Sequence, residues 1–135
     1  MKKFLGIIMI IGFTLFLLSC GGGGRGGGSN GSGGNSTGIT LNGVIIVNAW
    51  LCESYSMCGL CVQLENTTTT NKSIALMYNA FDSTGKAIGI TLIQGLVMPK
   101  TTSILNAPWV TPDGYPVDCN RIINFELDIN KSIVY

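Results

Sequence analysis

Between Gly21 and Gly38 the chain carries 11 of its 19 glycines and not one large apolar side chain. Such a stretch has nothing to bury, so it cannot offset the entropy of ordering its own backbone. It divides the sequence into three unlike parts. Met1 to Ser19 is almost wholly apolar. Residues 39–135 alone hold the mixture of apolar, polar and turn residues that a packed core requires. A domain of roughly 97 residues buries somewhat more than ~60% of its unfolded surface. It can fold alone, but covalent staples help it. The glycine tract itself reads as a flexible tether, with an expected r.m.s. span of about 23 Å and roughly 60 Å when fully drawn out. A glycine-rich nucleotide loop is a poor alternative, because no strand precedes GGGGRGGG and no GK[ST] follows it.

The segment ahead of the tract is built for export. Lys2 and Lys3 are followed by Phe4 to Leu18, an uncharged apolar run of 15 residues. That length is long for a secretory h-region and marginal for crossing a bilayer of ~30 Å, so the bland readings are an ordinary signal peptide cut at a small residue or an uncleaved anchor. The run ends in Leu17-Leu18-Ser19-Cys20. This ending resembles the lipobox of bacterial lipoproteins, in which a diacylglycerol is added to the cysteine thiol and cleavage leaves that cysteine as the first residue. The resemblance implies a signal peptide over 1–19, a lipidated Cys20 opening a linker over 20–38, and a folded domain over 39–135. It also implies a bacterial envelope location with the membrane as a partner. Several acyl chains, at about 0.8 kcal/mol per buried CH₂, give stable anchoring. Gly21 rather than Asp after Cys20 implies outer-membrane sorting in a Gram-negative host.

The folded part reads as about six strands. Val44–Leu51, Leu60–Glu65, Ser73–Phe81, Ala87–Val97 and Thr101–Ala107 are alternating or β-branched runs separated by turn residues. In the last run Ile123, Phe125, Leu127 and Ile129 share one face, while Asn124, Glu126, Asp128 and Asn130 share the other. Trp50, alternating with apolar neighbours, reads as core. Helical periodicity is absent, so the expected fold is all-β: a small antiparallel sandwich. Tyr78-Asn79-Ala80-Phe81-Asp82, within YNAFDSTGKAIG and ahead of Met-Pro-Lys-Thr, resembles the signature of the FxLYD domain. That family of secreted and lipid-anchored bacterial proteins has an immunoglobulin-like β-sandwich. Tyr78, Ala80 and Phe81 stand where the family has Phe, Leu and Tyr, and Asp82 is identical. The resemblance implies a fold and no catalytic residues.

If the six strands alternate in direction, three connections share the end away from the tether: Leu51 to Leu60, Asp82 to Lys86, and Pro108 to Asn120. Cys52, Cys58, Cys61 and Cys119 all fall there, with Tyr55, Met57, Trp109 and Tyr115. Four cysteines in an exported chain point to two disulfides, one within the Cys52 to Cys61 loop and one tying that loop to Cys119. A tetrathiolate zinc site is the runner-up, but C-x₂-C occurs once and an oxidising compartment opposes free thiolates. A redox Cys58-Gly59-Leu60-Cys61 would normally begin a helix, and here a strand follows. Haem attachment fails because Val62 stands where His is needed.

Residues 39–135 hold five basic and seven acidic side chains with no basic cluster, which argues against a nucleic-acid partner. The chain has no histidine, the commonest general base and metal ligand. Glu53, Asp113 and Asp118 could gather as a carboxylate pair or weak calcium site, but acidic loop residues more often serve solubility. No catalytic residue, cofactor or metal is expected. The reading that remains is a lipid-anchored interaction module whose distal loops meet a protein or glycan, with Tyr55, Trp109 and Tyr115 as contact candidates. Trp109 could equally cap the core. The alternative is an accessory lipoprotein without a dedicated ligand. The anchoring expectation is directly testable: Cys20→Ser should release the chain from the membrane fraction, and membrane retention after signal cleavage would refute lipidation at this residue.

Overall fold

The structure, a computed structural model, describes residues 37–135. The expected signal peptide, Cys20 and most of the glycine tract lie outside the described residues. Eight strands follow in order: β1 (Thr40–Leu41), β2 (Val44–Ser54), β3 (Met57–Asn66), β4 (Lys72–Phe81), β5 (Ala87–Val97), β6 (Thr102–Pro108), β7 (Asn124–Leu127) and β8 (Ile133–Val134). They form two antiparallel sheets. One runs β1-β2-β3-β6; in the other β4 lies between β5 and the short strands β7 and β8. The all-β sandwich expected from the period-two patterning is what the chain forms. The count rises from six to eight because β1 and β8 have two residues each, too few to leave a periodic signature.

The sheets meet over an apolar core that the alternation largely dictates. Leu60, Val62 and Leu64 point inward from β3, and Ile74, Leu76, Tyr78 and Ala80 from β4. Two sequence expectations fail at irregularities. Trp50 is only half-buried and pairs with Cys61 on the outer face of its sheet. A register shift between Ile46 and Asn48 reverses the parity of β2, so Val44 and Ile46 point inward before it and Ala49 after it. In the last run only Phe125 and Leu127 pack with the core, while Ile123 and Ile129 are exposed. There 3-10 turns at Cys119–Arg121 and Ile129–Lys131 limit β7 to four residues and break the extended alternation.

The end nearest the N-terminus is closed by Asn66, a fully buried amide. Its Nδ2 donates to the carbonyls of Thr70 and Val97, and its Oδ1 accepts from the Thr68 N–H and hydroxyl. Both amide protons and the carbonyl oxygen are thereby satisfied without water. The four consecutive threonines Thr67 to Thr70 are thus folded around one polar group, and Lys100 adds a contact from its ammonium to the Thr67 carbonyl.

Two disulfides hold the opposite end. Cys52–Cys61 joins β2 to β3 diagonally on the outer face, and Cys58–Cys119 joins β3 to the segment before β7. Sequence separations of 9 and 61 residues give loop-closure contributions of about 2.7 and 4.3 kcal/mol. Replacing Cys58 and Cys119 together by Ala should therefore lower Tm more than replacing Cys52 and Cys61, by roughly 6 °C or more for a domain of this size. Calorimetry of the two double variants checks the order.

Candidate functional site

The end remote from the N-terminus is assembled from three connections, as the strand order requires. The first is the tip of the β2–β3 hairpin. Both strands run on through Cys52 and Cys58, which the sequence had suggested lay in a loop, and leave only Tyr55 and Ser56 to turn the chain. Tyr55 has φ 52° and Ser56 φ 60°. Two successive left-handed residues are what a tight two-residue hairpin demands, and Asn-Gly is the usual solution. A Tyr-Ser pair lacks that signal, so nothing in the sequence marked the turn. Left-handed backbone is costly for a bulky residue, on the order of 1–2 kcal/mol. Tyr55 is nevertheless 82% exposed, so the cost is not offset by burying its ring.

The second connection is the loop between β6 and β7. It leaves β6 at Trp109, whose N–H donates to the Cys58 carbonyl and continues the ladder with β3. One residue later the chain has changed sheets: Val110 exchanges both backbone hydrogen bonds with Ile90 of β5. A side chain at such a crossing falls between the layers. Trp109 is accordingly 0% exposed, its ring tilted against Phe125 with centroids 6.2 Å apart. Trp109 is therefore core and not a contact residue; of the two roles that the sequence left open for it, the cap is correct. Beyond it, Thr111-Pro112-Asp113-Gly114 makes a turn closed by Gly114 N–H to the Thr111 carbonyl. Gly114 has φ 86°, which only glycine adopts cheaply. Thr111 Oγ1 accepts from the Tyr115 N–H, and the Thr111 N–H donates to the Tyr115 carbonyl. This small hairpin presents Tyr115 at 70% exposure.

The third connection, Asp82 to Lys86, is organised by one carboxylate. Asp82 accepts from the Thr84 N–H, the Thr84 hydroxyl and the Lys86 N–H. These bonds favour the ionised form and hold its pKa below the ordinary carboxylate value, the Thr84 hydroxyl contributing most. Within the Tyr78–Asp82 stretch, then, Tyr78 and Ala80 fill the core and Asp82 fixes the turn. Burial holds the Tyr78 hydroxyl far above its usual pKa, so it stays protonated.

The cysteines bring the first two connections together. Cys58–Cys119 ties the base of the Tyr55 hairpin to the far side of the Tyr115 loop. Cys58 and Cys61 bond to different partners, so C-x₂-C is not a dithiol pair here. Among the described residues no group of three or more His, Cys, Asp and Glu is placed to hold a metal ion. Glu53 and Asp113 are exposed, while Asp118 accepts from the Asn120 N–H at the start of the 3-10 turn. The arrangement can therefore offer shape and aromatic surface: two tyrosines on short hairpins fixed to one another. Sequence reasoning missed Ser54 and Asn106, which join the hairpin to β6 through a 2.8 Å hydrogen bond between the Ser54 hydroxyl and Asn106 Oδ1.

Trp109→Ala should cost about 3–5 kcal/mol of stability, by chemical denaturation, because it empties the space between the sheets. Wild-type stability in that variant would contradict the buried placement. Set against protein-family models, curated proteins and solved structures, the chain matches none.

Proposed function

We propose that this chain is a lipid-anchored protein of the bacterial envelope that presents its β-sandwich as an interaction module, with the disulfide-bonded end as the contact surface for a protein or glycan. The lipobox-like Leu17-Leu18-Ser19-Cys20 supports the anchor. The FxLYD-like stretch Tyr78–Asp82 fits a non-catalytic module of secreted and anchored proteins. Outer-membrane placement in a Gram-negative host follows from Gly21 on the same reading.

The observation that carries the proposal is Tyr55. A large, exposed aromatic ring sits at a hairpin tip whose backbone would be more stable with Asn-Gly. Strain of this kind collects where a side chain is held for use rather than for folding. Tyr115 stands on a neighbouring hairpin preorganised by Pro112 and by the hydrogen bonds of Thr111. Tyrosine offers large contact area for few rotatable bonds, so a rigid pair of them loses little entropy on binding.

The test separates stability from binding. Tyr55→Asn combined with Ser56→Gly should raise stability by about 1–2 kcal/mol, because it relieves the left-handed strain. The same variant should weaken capture of the partner in the host's envelope fraction by roughly 30-fold, the equivalent of a 2 kcal/mol contact residue. Tyr115→Ala should weaken capture with stability unchanged. Capture that both variants leave intact would move the contact surface elsewhere, and no capture by the wild type would favour an accessory lipoprotein without a ligand.

A further inference from the structure

β5 is the outermost strand of its sheet, and past Ile90, where Val110 covers it, the strand lacks the usual protection of an edge. Natural edges carry charge, proline or a covering segment, because unpaired backbone groups recruit other strands. From Ala87 to Met98 this strand has neither a charged residue nor a proline. Its hydrogen-bonding phase is fixed at two points. Ile90 gives both its backbone groups to Val110, away from β4. Ser73, which pairs with Leu96, gives both of its groups to Tyr135 on the other side of β4. The ladder between β4 and β5 therefore uses Thr91, Ile93, Gly95 and Val97. The N–H and C=O groups of Leu92, Gln94 and Leu96 point out from the edge, where the described residues supply no partner.

The side chains of that row are self-complementary. Thr91 and Ile93 face the core, so Ile90, Leu92, Gln94, Leu96 and Met98 lie on the outer face. The order is two apolar residues, one amide, two apolar residues, symmetric about Gln94. A two-fold interface requires that kind of symmetry, since residue i must accept residue j on both copies. We propose that β5 pairs antiparallel with β5 of a second copy of this chain, with the two-fold axis at Gln94. Leu92 then lies opposite Leu96 of the second copy and Gln94 opposite Gln94, and the pairing stops short of Ile90, whose edge Val110 of the same copy covers. All three outward N–H groups and all three outward C=O groups on each copy find partners.

Neighbouring features fit the same register. The charged residues flanking β5, Lys86 and Lys100, lie outside the paired segment, so no like charges are opposed within it. Leu96, Met98 and Ile133 are about half exposed on the outer side of this sheet, and Met77 and Ala75 pair with Leu92 and Gln94 there. Joining two such sheets makes one apolar strip continuous across the axis. Antiparallel pairing also turns the second N-terminus to the opposite end. Residues 20–36 have a contour length of roughly 55–60 Å, against about 37 Å for an 11-residue strand, so an anchor at Cys20 is compatible with it. The proposal is independent of the tyrosine surface, because it rests on a different strand and a different face.

Cysteine cross-linking of the full chain in its own membranes tests the register. Gln94→Cys should trap most of the chain at twice its mass on a non-reducing gel, and reductant should reverse it. Leu92→Cys alone should stay at single mass, because its own copy lies four residues away along the partner strand. Leu92→Cys expressed with Leu96→Cys should cross-link. A second arm avoids new thiols: Gln94→Lys opposes two ammonium groups and should abolish chemical cross-linking of the otherwise native chain, and co-expressed Gln94→Glu should restore it. Gln94→Cys remaining at single mass, equal cross-linking by Leu92→Cys, or trapping of Gln94→Cys to a different protein would each overturn self-pairing through β5.

Discussion

The bond between Cys58 and Cys119 is the constraint on which the far end of this molecule depends. It spans 61 residues and joins the first sheet to the segment that enters the second. Between its two cysteines the chain completes β3, builds β4, β5 and β6, and changes sheets at Trp109. A crossing of that kind leaves an open mouth between the layers. Here the mouth is filled by the Trp109 ring against Phe125, which in turn meets Tyr78 edge-on at 6.4 Å. The disulfide holds the loop that carries Trp109 in place. A sandwich of this size has little surplus stability, so one cross-link of about 4 kcal/mol is a large share of the whole.

The two ends solve the same closure problem by different chemistry. The end nearest the N-terminus is sealed by a satisfied amide, Asn66, with the threonine run wrapped about it. The far end is sealed by sulfur and aromatic rings. Covalent closure leaves surface side chains there free of any structural duty, and Tyr55 and Tyr115 are the large exposed ones. The core itself bears a cost: the Tyr78 hydroxyl, the Thr91 hydroxyl and the Trp109 indole N–H are buried with no hydrogen-bond partner among the described residues. Such groups weaken a core by about 1–3 kcal/mol each. The cross-links offset part of that.

Much of this was legible in the chain before its fold was known. Alternation in β3 put Leu60, Val62 and Leu64 on one face, and that face is the buried one, because a half-buried strand permits only one parity. The same logic failed at Trp50 and at Ile129, where a bulge and a 3-10 turn change the parity without a residue type that announces it. Tyr55 was legible as a surface candidate but not as a strained one. Its turn has no glycine or asparagine, so only the backbone angles expose the conflict.

The sequence by itself determined the all-β class and the division into an apolar N-terminal segment, a glycine tract and a foldable domain. These follow from composition and period, which act locally. Only the tertiary structure decided which cysteines meet, that Trp109 lies inside while Tyr55 and Tyr115 lie outside, and that the edge of β5 from Leu92 to Leu96 is uncovered. Each of those depends on contacts between residues far apart along the chain, and sheet order, unlike strand periodicity, is written in no single segment.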